Sequence, residues 1–302
     1  KVAGMAGLFL AVFLVPGTGG SIANLSSTAP ALQKHGLELA VAIAAALQGA
    51  FWAYDGWVNT TYFAGEVRDS SRIVPRATVL GMFIVTGIYL AMNFAYCWLL
   101  PAEVMAQSKL VAGDVAERVM SGGGKWIALV VMISTFGANN GTVLASARVY
   151  FAMARRNVFP AFLGRAHPRF HTPSASLVVQ SVWSIALVFS GTFDTLTDML
   201  MFVSWIFYGI GAYGVFVLRR KEPDAPRSYK VPGYPWMPAI FVAFTAVFLV
   251  LTVVNDITNY RAAVAAGHPA IINCALGAVL VAIGIPIYFY YRRHQEAPSP
   301  SS

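Results

Sequence analysis

The chain has 302 residues, of which 57% are hydrophobic and only 11% charged, with a formal net charge of +8. Its mean hydropathy of +0.63 excludes both an ordinary soluble domain and a disordered chain. Cys97 and Cys274 lie in separate apolar runs, which leaves no disulfide framework and no CxxC metal pair.

Eight apolar segments follow one another, at residues 2–15, 39–62, 78–100, 126–153, 174–190, 200–218, 236–254 and 271–291. Most reach the roughly 20 residues that a spanning helix needs; the first is short. Lys1 leads straight into it without a charged n-region or cleavage site, so it reads as a helix entered part-way rather than a signal peptide. Clusters such as Pro223-Asp224-Ala225-Pro226 and Pro232-Gly233-Tyr234-Pro235 punctuate the segments. One membrane domain is expected over residues 1–293. A disordered cytoplasmic tail, rich in Pro and Ser, is expected over 294–302.

With eight crossings, alternate loops face opposite sides, and the basic residues sort by side. Arg68, Arg72 and Arg76, Arg155 to Arg169, Arg219 to Lys230, and Arg292 with Arg293 make fourteen on one side, against five on the other. The positive-inside rule makes the first set cytoplasmic. The basic balance is therefore topological, and a nucleic-acid partner is excluded.

The second segment carries Phe51-Trp52-Ala53-Tyr54-Asp55-Gly56-Trp57. An ionised carboxylate in mid-membrane costs about 2.5–3.5 kcal/mol on translocon scales and persists where it faces a cavity with a partner. Gly56 lets the backbone leave the helix, and the groups so freed must also line a cavity. Secondary transporters build midplane sites from such broken helices.

The motifs occur in order along the chain. Trp52-Ala53-Tyr54-Asp55-Gly56-Trp57 is followed by Gly65-Glu66-Val67-Arg68 and Pro75-Arg76. Ser134-Thr135-Phe136-Gly137-Ala138-Asn139-Asn140-Gly141 is followed by Ser146-Ala147-Arg148 and Arg155-Arg156-Asn157. Then come Ser204-Trp205-Ile206-Phe207-Tyr208-Gly209 and Tyr229-Lys230-Val231-Pro232. Together they resemble the amino acid–polyamine–organocation (APC) superfamily, and most closely its L-type amino acid transporter family. The resemblance implies an all-α transmembrane protein with the LeuT-like inverted-repeat fold. It aligns this chain with helix five to helix twelve, so about eight transmembrane segments are expected, with the helices before them outside the chain. The first helix would supply half of the substrate site, so the chain alone is not expected to transport.

The resemblance also assigns roles. Trp52 matches an aromatic gate, and freed carbonyls around Trp52, Ala53 and Asp55 would accept the substrate's α-ammonium, with Tyr54 and Gly56 completing the substrate-binding break. The alternative is an interface belt, and Asp55 is too deep in its segment for that. Asp55 could pair with a cationic substrate side chain or brace the broken backbone; both stay open. Phe202 and Trp205, three apart on one face, match positions bordering the substrate side chain, with plain packing as the alternative. Lys1 matches a lysine that, in sodium-independent relatives, puts its ammonium where LeuT-like symporters bind sodium, with Ser134 as its contact. It could also carry a coupling proton, and a helix-end lysine at the interface is the alternative.

The implied activity is alternating-access transport of L-amino acids across the plasma membrane. It would be sodium-independent exchange of neutral substrates, with cationic ones also open. A proton-coupled symporter and a non-transporting sensor or scaffold are the alternatives, and a single-span accessory subunit is left open. No enzyme chemistry, cofactor or metal is expected. His167 and His171 are separated by a proline and joined by no Cys or acid. Ser121-Gly122-Gly123-Gly124-Lys125 lacks the flanking residues of a phosphate loop.

Overall fold

The computed structural model describes residues 2–26, 33–62, 64–227 and 229–295, so the expected tail at 294–302 falls almost wholly outside the described residues. Helices dominate, because a backbone in hydrocarbon must satisfy its own N–H and C=O groups. Among the described residues, six are long and apolar enough to cross a membrane: Gly36–Thr61, Ser70–Leu99, Gly123–Arg155, Phe193–Lys221, Trp236–Ala265 and Asn273–Arg293. Val2–Leu14 and Ser174–Ser190 are shorter apolar helices. All eight expected segments are therefore helical, and six of them have full spanning length.

The chain divides into two compact units. The first comprises Lys1–Lys34 and Ile73–Thr142. It contains α1 (Val2–Leu14), α2 (Ile22–Leu25), most of α4 (Ser70–Leu99), α5 (Ala102–Gln107), α6 (Val111–Val119) and the first part of α7 (Gly123–Arg155). Leu8 and Val12 of α1 pack with Met92, Ala95 and Leu99 of α4 and with Val115 and Ala116 of α6. The last carbonyls of α4 have no partner within the helix, and three distant groups supply donors. Trp98 O accepts the Ser21 N–H at 3.0 Å and Asn24 Nδ2 at 2.9 Å, while Leu99 O accepts an Arg118 guanidinium N–H at 3.0 Å.

The glycine run at residues 122–124 opens α7, and its N–H groups are already engaged. Glu117 accepts the Gly122 N–H at 2.8 Å and the Gly124 N–H at 3.0 Å. Those two bonds, followed by the Lys125 ammonium, hold its carboxyl below the usual glutamate range. The donors a phosphate loop would need are spent on capping a helix.

The second unit comprises His35–Arg72 and Val143–Ser302. It holds α3 (Gly36–Tyr54), α8 (Ser174–Ser190), α9 (Phe193–Lys221), α10 (Trp236–Ala265), α11 (Asn273–Ala282) and α12 (Gly284–Gln295). Helix α9 is central and packs on α10, α11 and α3. Gly277 permits the approach of α11: a Cβ there would stand 3.2 Å from Met199 O. The core joins Ala44 of α3, Trp205 of α9 and Phe248 of α10. Thr192 caps α9 by accepting the Thr195 N–H, and Arg219, Arg220 and Lys221 sit in its last turn, where the helix dipole favours cations.

Candidate functional site

The helix expected to break does so. Helix α3 stops at Tyr54, Asp55 is extended (φ −64°, ψ 154°), and Gly56 is left-handed (φ 101°). A tighter 3-10 turn, Trp57–Thr61, follows. Only glycine takes that backbone region without cost. The Asp55 N–H returns to Trp52 O at 3.1 Å, so one of the carbonyls expected at the break is already an acceptor within the turn.

Tyr208 of α9 clasps the break. Its hydroxyl donates to Asp55 Oδ1 at 2.8 Å, and its ring lies 5.4 Å from that of Trp57. Trp205, one turn earlier, is 8% exposed. Its ring is 4.2 Å from Phe51 and 5.0 Å from Phe248. Phe202 is also buried. Trp52 differs: it is 38% exposed and meets Phe193 edge-on at 5.9 Å. The unit thus brings together Asp55 and Tyr208, with Trp205 behind them in an aromatic core, and leaves the Trp52 ring partly exposed beside Phe193. Ala53 is exposed, and Tyr54 and Gly56 are half-buried.

Ser134 belongs to the other unit. Its hydroxyl is buried without a hydrogen-bond partner among the described residues. It lines a cavity of about 230 Å³ with Met5, Met92, Tyr96 and Thr135. Lys1, its expected companion, lies outside the described residues.

Two features escaped the sequence reading. Tyr208 was visible within a motif but carried no assigned role; its spacing from Trp205 places the two on one face. The second is a polar knot in the second unit. Buried Gln48 donates to Asp198 Oδ1 at 2.7 Å, Asn273 reaches Asp198 Oδ2 at 3.4 Å, and the Cys274 N–H donates to Asp256 at 2.8 Å. These bonds satisfy the Asp198 and Asp256 carboxylates and tie α3, α9, α10 and α11 together. Among the described residues, no group of three or more His, Cys, Asp or Glu could hold a metal ion.

The geometry is that of a broken helix with an acid at its break, and sequence comparison agrees. The model of a family described as "Amino acid permease" matches residues 1–289. The chain belongs to the amino acid permease family. Within it, the L-type branch supplies the relatives. The permease is 31% identical over 257 residues to the serine/threonine exchanger SteT of Bacillus subtilis, covering 84% of this chain and 56% of that protein. It is 32% identical over 241 residues to the human cystine/glutamate transporter (80% and 45%). It is 30% identical over 253 residues to the human large neutral amino acids transporter small subunit 2 (83% and 44%). The chain spans about half the length of these relatives. As an amino acid permease it is a multi-pass membrane protein of the LeuT-like fold class, and its family transports rather than catalyses.

Proposed function

We propose that this permease moves L-amino acids across the plasma membrane by alternating access, as a sodium-independent exchanger of neutral substrates that also admits cationic ones. The observation that carries the reading is the interruption at Asp55–Gly56 with Tyr208 bonded to the acid. A substrate α-ammonium has three N–H donors and needs oriented acceptors, which a helix end provides. The exposed Trp52 ring is the covering element, and Asp55 is the group that meets a cationic side chain. Phe202 and Trp205 border the substrate from α9. Ser134 and Lys1 take the place of a sodium site.

Relatives printed as a serine/threonine exchanger, a cystine/glutamate transporter and a large neutral amino acids transporter support an exchanger of zwitterionic substrates. The last is named a small subunit, which favours an accessory subunit here too. The basic loops face the cytoplasm.

The test is counterflow in proteoliposomes holding the full-length permease. An exchanger takes up labelled amino acid only when unlabelled amino acid is inside, with or without sodium. Uptake driven by an inward proton gradient into empty vesicles makes it a symporter instead. Binding without uptake makes it a sensor.

A further inference from the structure

The second unit holds an apolar groove of about 450 Å³ between the C-terminal part of α7, the start of α8 and the junction of α11 with α12. Tyr150, Leu163, Val179, Trp183, Ile283 and Ile287 are among the residues lining it. The substrate site uses none of them. From Leu280 to Ile287 the wall runs for about 10 Å along the helix, at ~1.5 Å per residue. On the topology proposed above, α7 and α12 both run towards the side of the basic loops, and α8 starts from it. Arg155 follows Tyr150 by five residues, Arg292 and Arg293 follow Ile287 by five and six, and Arg165 follows Leu163 by two; all four arginines are exposed. Five helical residues are about 7.5 Å, within the reach of an arginine side chain from the end of the groove.

An apolar slot in a membrane-spanning unit, with several guanidinium groups beyond one end, has the anatomy of an amphiphile with a hydrocarbon body and an anionic head. We propose that the groove holds an acyl chain of an anionic phospholipid from the leaflet on that side, with its phosphate met by Arg155, Arg165, Arg292 and Arg293. The charge complementarity selects the occupant. Guanidinium groups bind phosphate oxygens in a two-pronged fashion, and basic pockets between transmembrane helices take anionic lipid heads. A neutral lipid would fill the slot equally well but gain nothing from the arginines.

The experiment uses the full-length permease, stripped of lipid in a neutral maltoside detergent. Phosphatidylglycerol and phosphatidylcholine of identical chains are titrated back, with bound lipid counted by native mass spectrometry and the unfolding midpoint followed in parallel. Each basic residue near a membrane surface favours an anionic head by a factor of about five, so phosphatidylglycerol should bind at least about five-fold more tightly and raise the midpoint further. The double variant Arg292→Gln/Arg293→Gln should keep the fold and lose most of this preference. Gly284 borders the groove, and a Cβ there meets nothing within 4 Å. Gly284→Phe should therefore place its ring in open space and reduce retention of both lipids. Equal affinity for the two lipids overturns the proposal, as does a preference that survives Arg292→Gln/Arg293→Gln or lipid retention unchanged in Gly284→Phe. Full competition by glycerol phosphate without chains would make it an anion site on the surface, and overturns it too.

Discussion

The hydroxyl of Tyr208 donates to Asp55 Oδ1 at 2.8 Å across 153 positions of sequence. It gives the acid at the broken helix a partner that does not neutralise it. The bond occupies one of the two carboxylate oxygens. If Asp55 meets a cationic side chain, Asp55→Asn should weaken arginine and lysine uptake ten-fold or more relative to neutral substrates, since such bonds are worth about 1.5–3 kcal/mol. Tyr208→Phe should alter the same selectivity by about five-fold, the scale of one ordinary hydrogen bond of about 1 kcal/mol. Uptake assays with paired labelled substrates read both. An equal loss for every substrate, with protein still folded, assigns Asp55 to bracing the turn.

Gly56 sits at φ 101°. Gly56→Ala places a Cβ in a region that costs an L-residue roughly 1–2 kcal/mol. The cost should appear as a lower unfolding midpoint and slower exchange, while Gly65→Ala serves as a control, its Cβ meeting nothing within 4 Å. Equal behaviour of the two variants would mean that the left-handed turn is not retained in the membrane.

Trp205 is expected to bear on stability before it bears on transport. Its ring is packed among Phe51, Phe241, Phe244 and Phe248. Trp205→Ala should cost about 3–5 kcal/mol, as large buried aromatics do. Trp52→Ala, at an exposed ring, should instead leave the midpoint within about 1 kcal/mol and raise KM. Thermal unfolding and exchange kinetics on the two variants separate packing from substrate contact.

Glu117 links the first unit to pH. Its carboxyl is held low by the N–H groups of Gly122 and Gly124, and then by Lys125. A folded-state value below the unfolded one means that the stabilisation is complete above the ordinary glutamate range. It is lost as the pH falls below that range, through the folded-state value. Unfolding midpoints measured downwards from pH 6 should therefore fall less steeply in Glu117→Gln than in the parent. Parallel curves would show that the cap contributes nothing.

Orientation rests on charge alone, so it is checked by labelling. A cysteine replacing Arg165, in a background without Cys97 and Cys274, should react with an impermeant maleimide only after the cytoplasmic face is opened. Reaction from outside would invert the topology.

Much of this was written in the sequence. Length and hydropathy set the helices, because hydrocarbon offers the backbone no other partner. The adjacency of Asp55 and Gly56 set the break, because left-handed backbone is a local demand that glycine meets by itself. Tertiary structure decided what stands against the break. The partner of Asp55 lies on a helix that begins 138 residues after it, at Phe193. The choice of Tyr208, the burial of Trp205 beside Phe51 and the Gln48–Asp198–Asn273 chain all depend on which faces of α3, α9 and α11 meet. In helices apolar all round, sequence periodicity does not mark a buried face. Close approach of small residues and satisfaction of the few polar groups choose the partners, and those conditions exist only once the helices have packed.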